Sequence, residues 1–345
     1  MDLRELEPCA EWRAADVADP ETWTLRLNDA DRAELDTALR AAKEKSVNPL
    51  EIGREDFPLD TLADKLNAVV EVLLNGRGFM RISALDAGAY SDDDLTLLYW
   101  GIGLHLGEPW AQNKHGHVLG DVTDQGKTVD DPTVRGNELG GIALDYHSDG
   151  SDLVGLLCLR RARVGGLSCV ANAVAIHNHM VRTCPELAAA LYEELPYDTR
   201  GEQAKGASAF YTVPGFTEHA DRLFVRFIPQ YILASQRHAD APRLSDTARE
   251  AIRTMVGLAN DPDFNVYMDL QPGEMQFINN YHVLHGRTAY EDDAANGYKR
   301  HLKRLWLATY ALTDRPGHFR ALGRSHWEAK RSVSHLPAVE RVPTA

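Results

Sequence analysis

Ala143-Leu144-Asp145-Tyr146-His147-Ser148-Asp149-Gly150-Ser151, running into the apolar stretch at residues 153–159, decides how the chain is read. Its imidazole and carboxylate stand two residues apart. Alternate side chains of extended backbone share a face, so His147 and Asp149 can occupy adjacent corners of one metal's coordination sphere. A third ligand from elsewhere would complete a two-histidine, one-carboxylate face with open positions opposite it. Downstream, Asn279-Asn280-Tyr281-His282-Val283-Leu284-His285-Gly286-Arg287-Thr288 follows a strand-like run and the turn Gln271-Pro272-Gly273-Glu274. Either histidine there could serve. Three residues apart in a strand they point to opposite faces, so a single site takes only one of them.

Outward from this pair, strand-like runs fall at residues 153–159, 168–173, 223–228, 266–270, 275–278 and 302–310, with helical patterns at 175–195 and 245–258. Residues 1–106 read as a mainly helical scaffold. Asp29 or Asp31 can cap a helix through about Lys45, Asp60 one that stops at Gly76 and Gly78, and Ser91 a third, with a strand at 78–82 between the last two. From Gly107 to Gly140 the texture turns to Gly, Asp, Asn, His and Thr, which predicts a long loop or short irregular strands. No repeat and no Pro/Gly/Ser linker interrupts the chain, so residues 1–345 read as one domain whose core spans 107–312. Strands this dispersed, with helices between them, predict an α+β fold: a jelly-roll barrel flanked by helices rather than a doubly wound parallel sheet. Glycine pairs such as Gly140-Gly141 and Gly165-Gly166 lack the further residues of a phosphate-binding loop.

Composition narrows the partners. With 44% hydrophobic and 26% charged residues the 345-residue chain has ample core material. Its net charge of -14, with no basic block, repels a phosphate backbone or an anionic membrane surface, so nucleic acid and membrane are not expected partners. No apolar run approaches the roughly 20 residues that cross a bilayer, and a cytoplasmic protein is the simplest expectation. Cys9, Cys158, Cys169 and Cys184 form no CxxC pair, and the second and third read as small core side chains.

Taken together, His147-Ser148-Asp149, His285-Gly286-Arg287-Thr288-Ala289-Tyr290 and Arg300-His301-Leu302-Lys303-Arg304-Leu305-Trp306-Leu307 resemble, in order and wording, the taurine dioxygenase and clavaminate synthase-like superfamily of Fe(II)/2-oxoglutarate oxygenases. Gly155-Leu156-Leu157-Cys158-Leu159 and Gly165-Gly166-Leu167-Ser168 extend the similarity. The resemblance implies a double-stranded β-helix and an enzyme that uses Fe(II), 2-oxoglutarate and O2, releasing succinate and CO2. It implies His147, Asp149 and His285 as metal ligands, Arg300 as the clamp on the far carboxylate of 2-oxoglutarate, and Ser168 as its assistant. A guanidinium suits that role because its planar fork grips a carboxylate with two charge-assisted hydrogen bonds. Arg304, on the same strand face, is the alternative clamp and a candidate for a substrate carboxylate. Gln112, His115 and His117, in the loop before the site, are the other candidate substrate contacts.

His177-Asn178-His179 is a second HxH pair, expected to be exposed or capping. The small-molecule substrate favoured is polar, such as an amino acid or a derivative; oligomeric state stays open. Because the resemblance's radical halogenases lack the carboxylate ligand, Asp149 favours hydroxylation, with desaturation or oxidative cyclisation by the same iron chemistry as the alternative. Two rivals use the same residues, a non-catalytic jelly-roll binding protein and a Zn-dependent hydrolase. Neither needs the Arg300 and Ser168 pair.

Overall fold

Helices begin where short polar side chains satisfy the first free amides. In the computed structural model, which describes residues 3–321 and 325–334, Asn28 caps Asp29–Lys45: its side-chain oxygen accepts the Asp31 amide while the Asp31 carboxylate accepts the Asn28 amide. Sequence placed that cap one to three residues later. Thr61–Asn75 starts after Asp60, whose side chain makes no cap bond; Glu34 from the preceding helix accepts the Asp60 and Leu62 amides instead. Ser91 caps Asp92–Leu106 as expected, accepting from the Asp94 amide. These helices bury Leu35, Leu66, Leu73, Leu98 and Ile102 against the larger of two main sheets.

That sheet has eight strands. Thr24–Arg26, Phe79–Ser83, Met275–Asn279, Leu153–Arg160, His301–Ala308, His117–Thr123 and Ser332–Val333 pair in that spatial order, with Glu108–Pro109 alongside His301–Ala308. The second sheet runs Asn265–Met268, Ser168–Asn172, Val283–Arg287, Leu144–His147, antiparallel throughout. A second core joins its outer face to helices Ala173–Thr183, Pro185–Leu191 and Asp246–Asn260, through Cys169, Ala171, Leu284, Ile176 and Met255. The chain thus has a mixed α and β fold with a large sheet, and the successive strands Asn265–Met268, Met275–Asn279 and Val283–Arg287 alternate between the two main sheets.

Two further expectations change. The 107–140 stretch contains the seven-residue strand His117–Thr123, buried almost throughout. Its polar letters concealed it: Asp121 is offset by His301 and by Lys303 at 2.6 Å, and at Gly120 a Cβ would lie 2.8 Å from the Gln112 side chain. His177 is neither exposed nor a cap. It sits inside helix Ala173–Thr183, fully buried, bonded at 2.8 Å to both Asn178 and the Tyr192 hydroxyl. Cys158 and Cys169 are buried free thiols.

Candidate active site

Antiparallel pairing places His285 directly opposite His147, with ring centroids 4.3 Å apart. Gly286 permits that approach, since a Cβ there would lie 2.7 Å from the Leu144 carbonyl oxygen. Asp149 follows on the turn after Leu144–His147. One ligand atom from each of His147, Asp149 and His285 lies within 4.8 Å of the others, the one such cluster among the described residues. His282, three residues earlier in the chain, faces away, with its Nε2 3.4 Å from Glu7.

The donors are prepared for a cation. His147 Nδ1 lies 2.7 Å from the Asp145 carbonyl, which can only accept, so Nδ1 carries the proton and Nε2 keeps a free lone pair. Desolvation, then His285, pushes the His147 imidazole down to about 4, leaving the ring neutral at neutral pH as a ligand must be. Burial works against ionisation of Asp149. The Arg304 guanidinium and then His285 outweigh it and keep the carboxyl well below the usual range. Its Oδ2 accepts from Arg304 Nη1 at 3.1 Å and Trp306 Nε1 at 2.8 Å, while Asn280 accepts the Asp149 amide at 2.6 Å and donates to its carbonyl at 2.8 Å. Two imidazoles, one carboxylate and open space on one side suit a ferrous ion.

The open side is a cavity of about 390 Å³ lined by all three ligands, Ser168, Leu302, Arg304 and Arg300. Arg300 is buried, and its Nε donates to the Gly166 carbonyl at 3.2 Å while Nη1 has no partner. Desolvation, then the nearby Arg287, pushes its guanidinium down to about 10. A buried cation with an unmatched donor calls for an anion, and a dicarboxylate reaching from the metal would supply one. Gly166 makes the room: at φ +71° it carries no Cβ, which would lie 2.8 Å from Arg300 Cδ.

The remaining candidates divide. Gln112 is buried and faces Arg304, its Oε1 accepting from Arg304 Nε and its Nε2 donating to the Arg304 carbonyl, both at 2.8 Å. Nε and Nη1 of Arg304 are thus directed at Gln112 and Asp149. His115 is exposed and stacks loosely on His117 at 5.7 Å; neither lines the cavity. Ser168 lines it, with its hydroxyl on Gln276. Sequence reading missed Trp306, Asn280, Arg226, which donates to the Asp149 carbonyl, and Arg287, aimed at the Leu139 and Ile142 carbonyls. A period-two reading of Arg304-Leu305-Trp306 would have found the tryptophan. Nothing local marks the other three.

Two imidazoles and a carboxylate that could hold one metal ion, sharing a chamber with a buried arginine, are the arrangement of a class, the 2-oxoglutarate-dependent non-haem iron dioxygenases. Comparison with known proteins agrees: residues 43–306 match the family described as "Taurine catabolism dioxygenase TauD, TfdA family", and the chain belongs to it. It is 30% identical over 299 residues to "FR-33289 synthase" of Streptomyces rubellomurinus (strain ATCC 31215), spanning 86% of this chain and 88% of that one. To "Taurine hydroxylase-like protein SAT17" of Stachybotrys chartarum (strain CBS 109288 / IBT 7711) it is 25% identical over 303 residues, 85% and 77% of the two. Among solved structures, asparagine oxygenase in complex with Fe(II), 2S,3S-3-hydroxyasparagine and succinate superimposes with a TM-score of 0.63 at 16% identity, over 86% of this chain and 97% of that one. The non-haem iron oxygenase OrfP in complex with Fe and α-ketoglutaric acid gives 0.58 at 18%, over 84% and 94%. The protein is therefore an Fe(II)/2-oxoglutarate-dependent dioxygenase. No helix among the described residues is long and apolar enough to cross a membrane.

Proposed function

We propose that the protein hydroxylates an unactivated C–H bond of a small polar substrate, an amino acid or a derivative of one, with His147, Asp149 and His285 holding the iron and Arg300 holding 2-oxoglutarate. The observation that carries the reading is the unpaired, buried Nη1 of Arg300 in the chamber that the three metal-ligating side chains line. The amino-acid class is supported by the hydroxyasparagine and hydroxyarginine named with the structural neighbours. On this reading the two main sheets face each other as a jelly roll, residues 107–312 form its core, and 1–106 brace the large sheet within one domain.

When bound, ferrous iron and 2-oxoglutarate would turn O2 into the oxidant for the C–H bond, one oxygen atom ending in succinate as CO2 leaves and the other in the hydroxylated substrate. The chain's own residues do the rest. Arg304 and Trp306 hold Asp149 through its Oδ2, which also lies 3.6 Å from His285 Nε2, so the carboxylate would be fixed in place beside the imidazoles to hold the ion. The Asp145 carbonyl sets the His147 tautomer, and Asn280 locks the turn that carries Asp149. Arg300 orients the diacid by its far carboxylate, and Leu156 and Leu302 keep that part of the chamber dry. The test is succinate release from 2-oxoglutarate across a panel of amino acids and related acids. Release should require Fe(II), rise with the right substrate and stop with N-oxalylglycine. Catalysis that proceeds with Zn²⁺ alone, without 2-oxoglutarate, would instead favour the hydrolase.

A further inference from the structure

A second cavity of about 630 Å³ meets the first at Arg135, Asp149, Ile228 and Tyr231, which line both. That volume is of the order that takes ligands of drug size rather than a free amino acid. Phe210, Tyr211, Trp306 and Trp327 make much of its wall aromatic. Trp327 is held in place there: its Nε1 donates to the Glu202 carbonyl at 3.0 Å, and the next residue, Glu328, accepts the Ala111 amide at 2.8 Å. His318 and Trp327 lie outside residues 43–306, so the family likeness does not account for this part of the wall.

The charged groups of the wall are matched from within the protein. Asp198, fully buried, is bound by Arg237 at 2.7 Å and His238 at 3.2 Å. Arg226 donates to the Asp149 carbonyl and, at 2.7 Å, to the Tyr211 hydroxyl, and a Glu202 carboxylate oxygen accepts the Lys114 amide. Arg135 donates to the Gln112 carbonyl and stands among Glu202, Asp149 and Glu138. Burying a charge without a partner is costly, so a chamber whose own charges are already met receives an uncharged guest.

We propose that the substrate is larger than a free amino acid: a small polar head, such as an amino-acid unit, joined to an uncharged aromatic or alkyl body that fills the second cavity against Trp327. The inference rests on the dioxygenase reading and deepens it by naming the substrate's body and the residue that reads it. Because Asp149 lines both cavities, a molecule anchored by its body has its other end at the metal site. Apolar burial and ring contact with Trp327 supply the anchoring.

The test uses protein loaded anaerobically with Fe(II) and 2-oxoglutarate, and calorimetric titration with three neutral body probes: hexanamide, 4-phenylbutanamide and 4-(2-naphthyl)butanamide. The naphthyl probe should bind one to one and about tenfold or more tightly than hexanamide, as its added apolar area dictates, with the phenyl probe between them. Trp327→Ala should weaken the naphthyl probe about tenfold and leave 2-oxoglutarate binding within about twofold, and Trp327→Phe, which keeps a ring, should retain most of the affinity. In air, the 4-phenylbutyl amide or the N-(4-phenylbutanoyl) derivative of at least one amino acid should drive succinate release with a kcat/KM about tenfold or more above that of its parent. The proposal is overturned if the naphthyl probe binds no better than hexanamide, if its affinity survives Trp327→Ala or falls together with that for 2-oxoglutarate, or if no conjugate exceeds its parent amino acid. A preliminary titration of the Fe(II) protein with 2-oxoglutarate separates the two failures, because loss of binding there would fall on the dioxygenase reading itself.

Discussion

Asp149 is the residue at which the most requirements meet: Arg304 and Trp306 on its Oδ2, Asn280 on its amide, Arg226 on its carbonyl. Its replacement by alanine should remove function without unfolding the chain, because the bonds of Asn280 and Arg226 are to its backbone and Arg304 keeps Gln112. We expect Asp149→Ala and His147→Ala to lose succinate formation by at least about a thousandfold while circular dichroism stays native; near-normal turnover in either would refute the assigned triad. Arg300→Ala leaves a keto diacid without its fork, so the 2-oxoglutarate concentration for half-maximal rate should rise about 10- to 100-fold, the range of a charge-assisted hydrogen-bond pair. Arg304→Ala should instead lower turnover through Asp149 with a smaller change in that concentration. If the effects come out reversed, the two arginine roles exchange. At this scale spacing paired His147 with Asp149 and Arg300 with Arg304 but left His282 and His285 open, and the choice of His285 and the role of Arg300 rested on the family resemblance. What spacing could not show is which way a long side chain turns: Gln112 and Arg304, expected at the substrate, face one another, while His115 and His117 lie outside the cavity.

At the scale of elements, the turn at Gly165-Gly166 and the strand edge at Arg300 form one device. Both glycines have positive φ, and Gly166 leaves the space through which Arg300 enters the chamber. Gly166→Ala adds one methyl where backbone strain and contact with Arg300 Cδ coincide. It should raise the 2-oxoglutarate requirement several-fold and lower stability by about 1–2 kcal/mol, read by kinetics and by urea midpoint. A variant with wild-type kinetics would show that Arg300 does not depend on that turn. Most elements were readable beforehand, since apolar runs marked the strands Leu153–Arg160 and Met275–Asn279 and caps marked the helices. His117–Thr123 was not, because Gly120 and Asp121 owe their place in a sheet to Gln112 and to the pair His301 and Lys303, partners remote in the chain. Buried His177 escaped for the same reason, since its ring is satisfied by Tyr192, fifteen residues on.

For the whole molecule, buried neutral histidines couple stability to pH. Burial, then Arg222, pushes His282 down to about 3. The unfolded chain takes up that proton near the ordinary value of about 6.5, so below it the unfolded state binds more protons and stability falls with pH. The contribution is intact above about 6.5 and is lost progressively as pH falls towards the folded value. Glu7, raised by burial, offsets part of the loss at lower pH. Melting temperature should accordingly hold from about pH 8 to 6.5 and decline below, and His282→Gln should flatten the decline; an unchanged slope would place its source elsewhere. Metal binding obeys the same linkage with a different window. Burial holds the His147 imidazole down to about 4 in the folded chain, so at that ligand little proton competes with a metal above it. Fe(II) added under argon at about 100 times its dissociation constant should stabilise chelator-treated protein by about 2.7 kcal/mol. The gain should vanish in Asp149→Ala, because two imidazoles without the carboxylate leave a hard ferrous ion short of its anionic ligand; a gain of the same size in that variant would mean that the carboxylate takes no part in holding the ion.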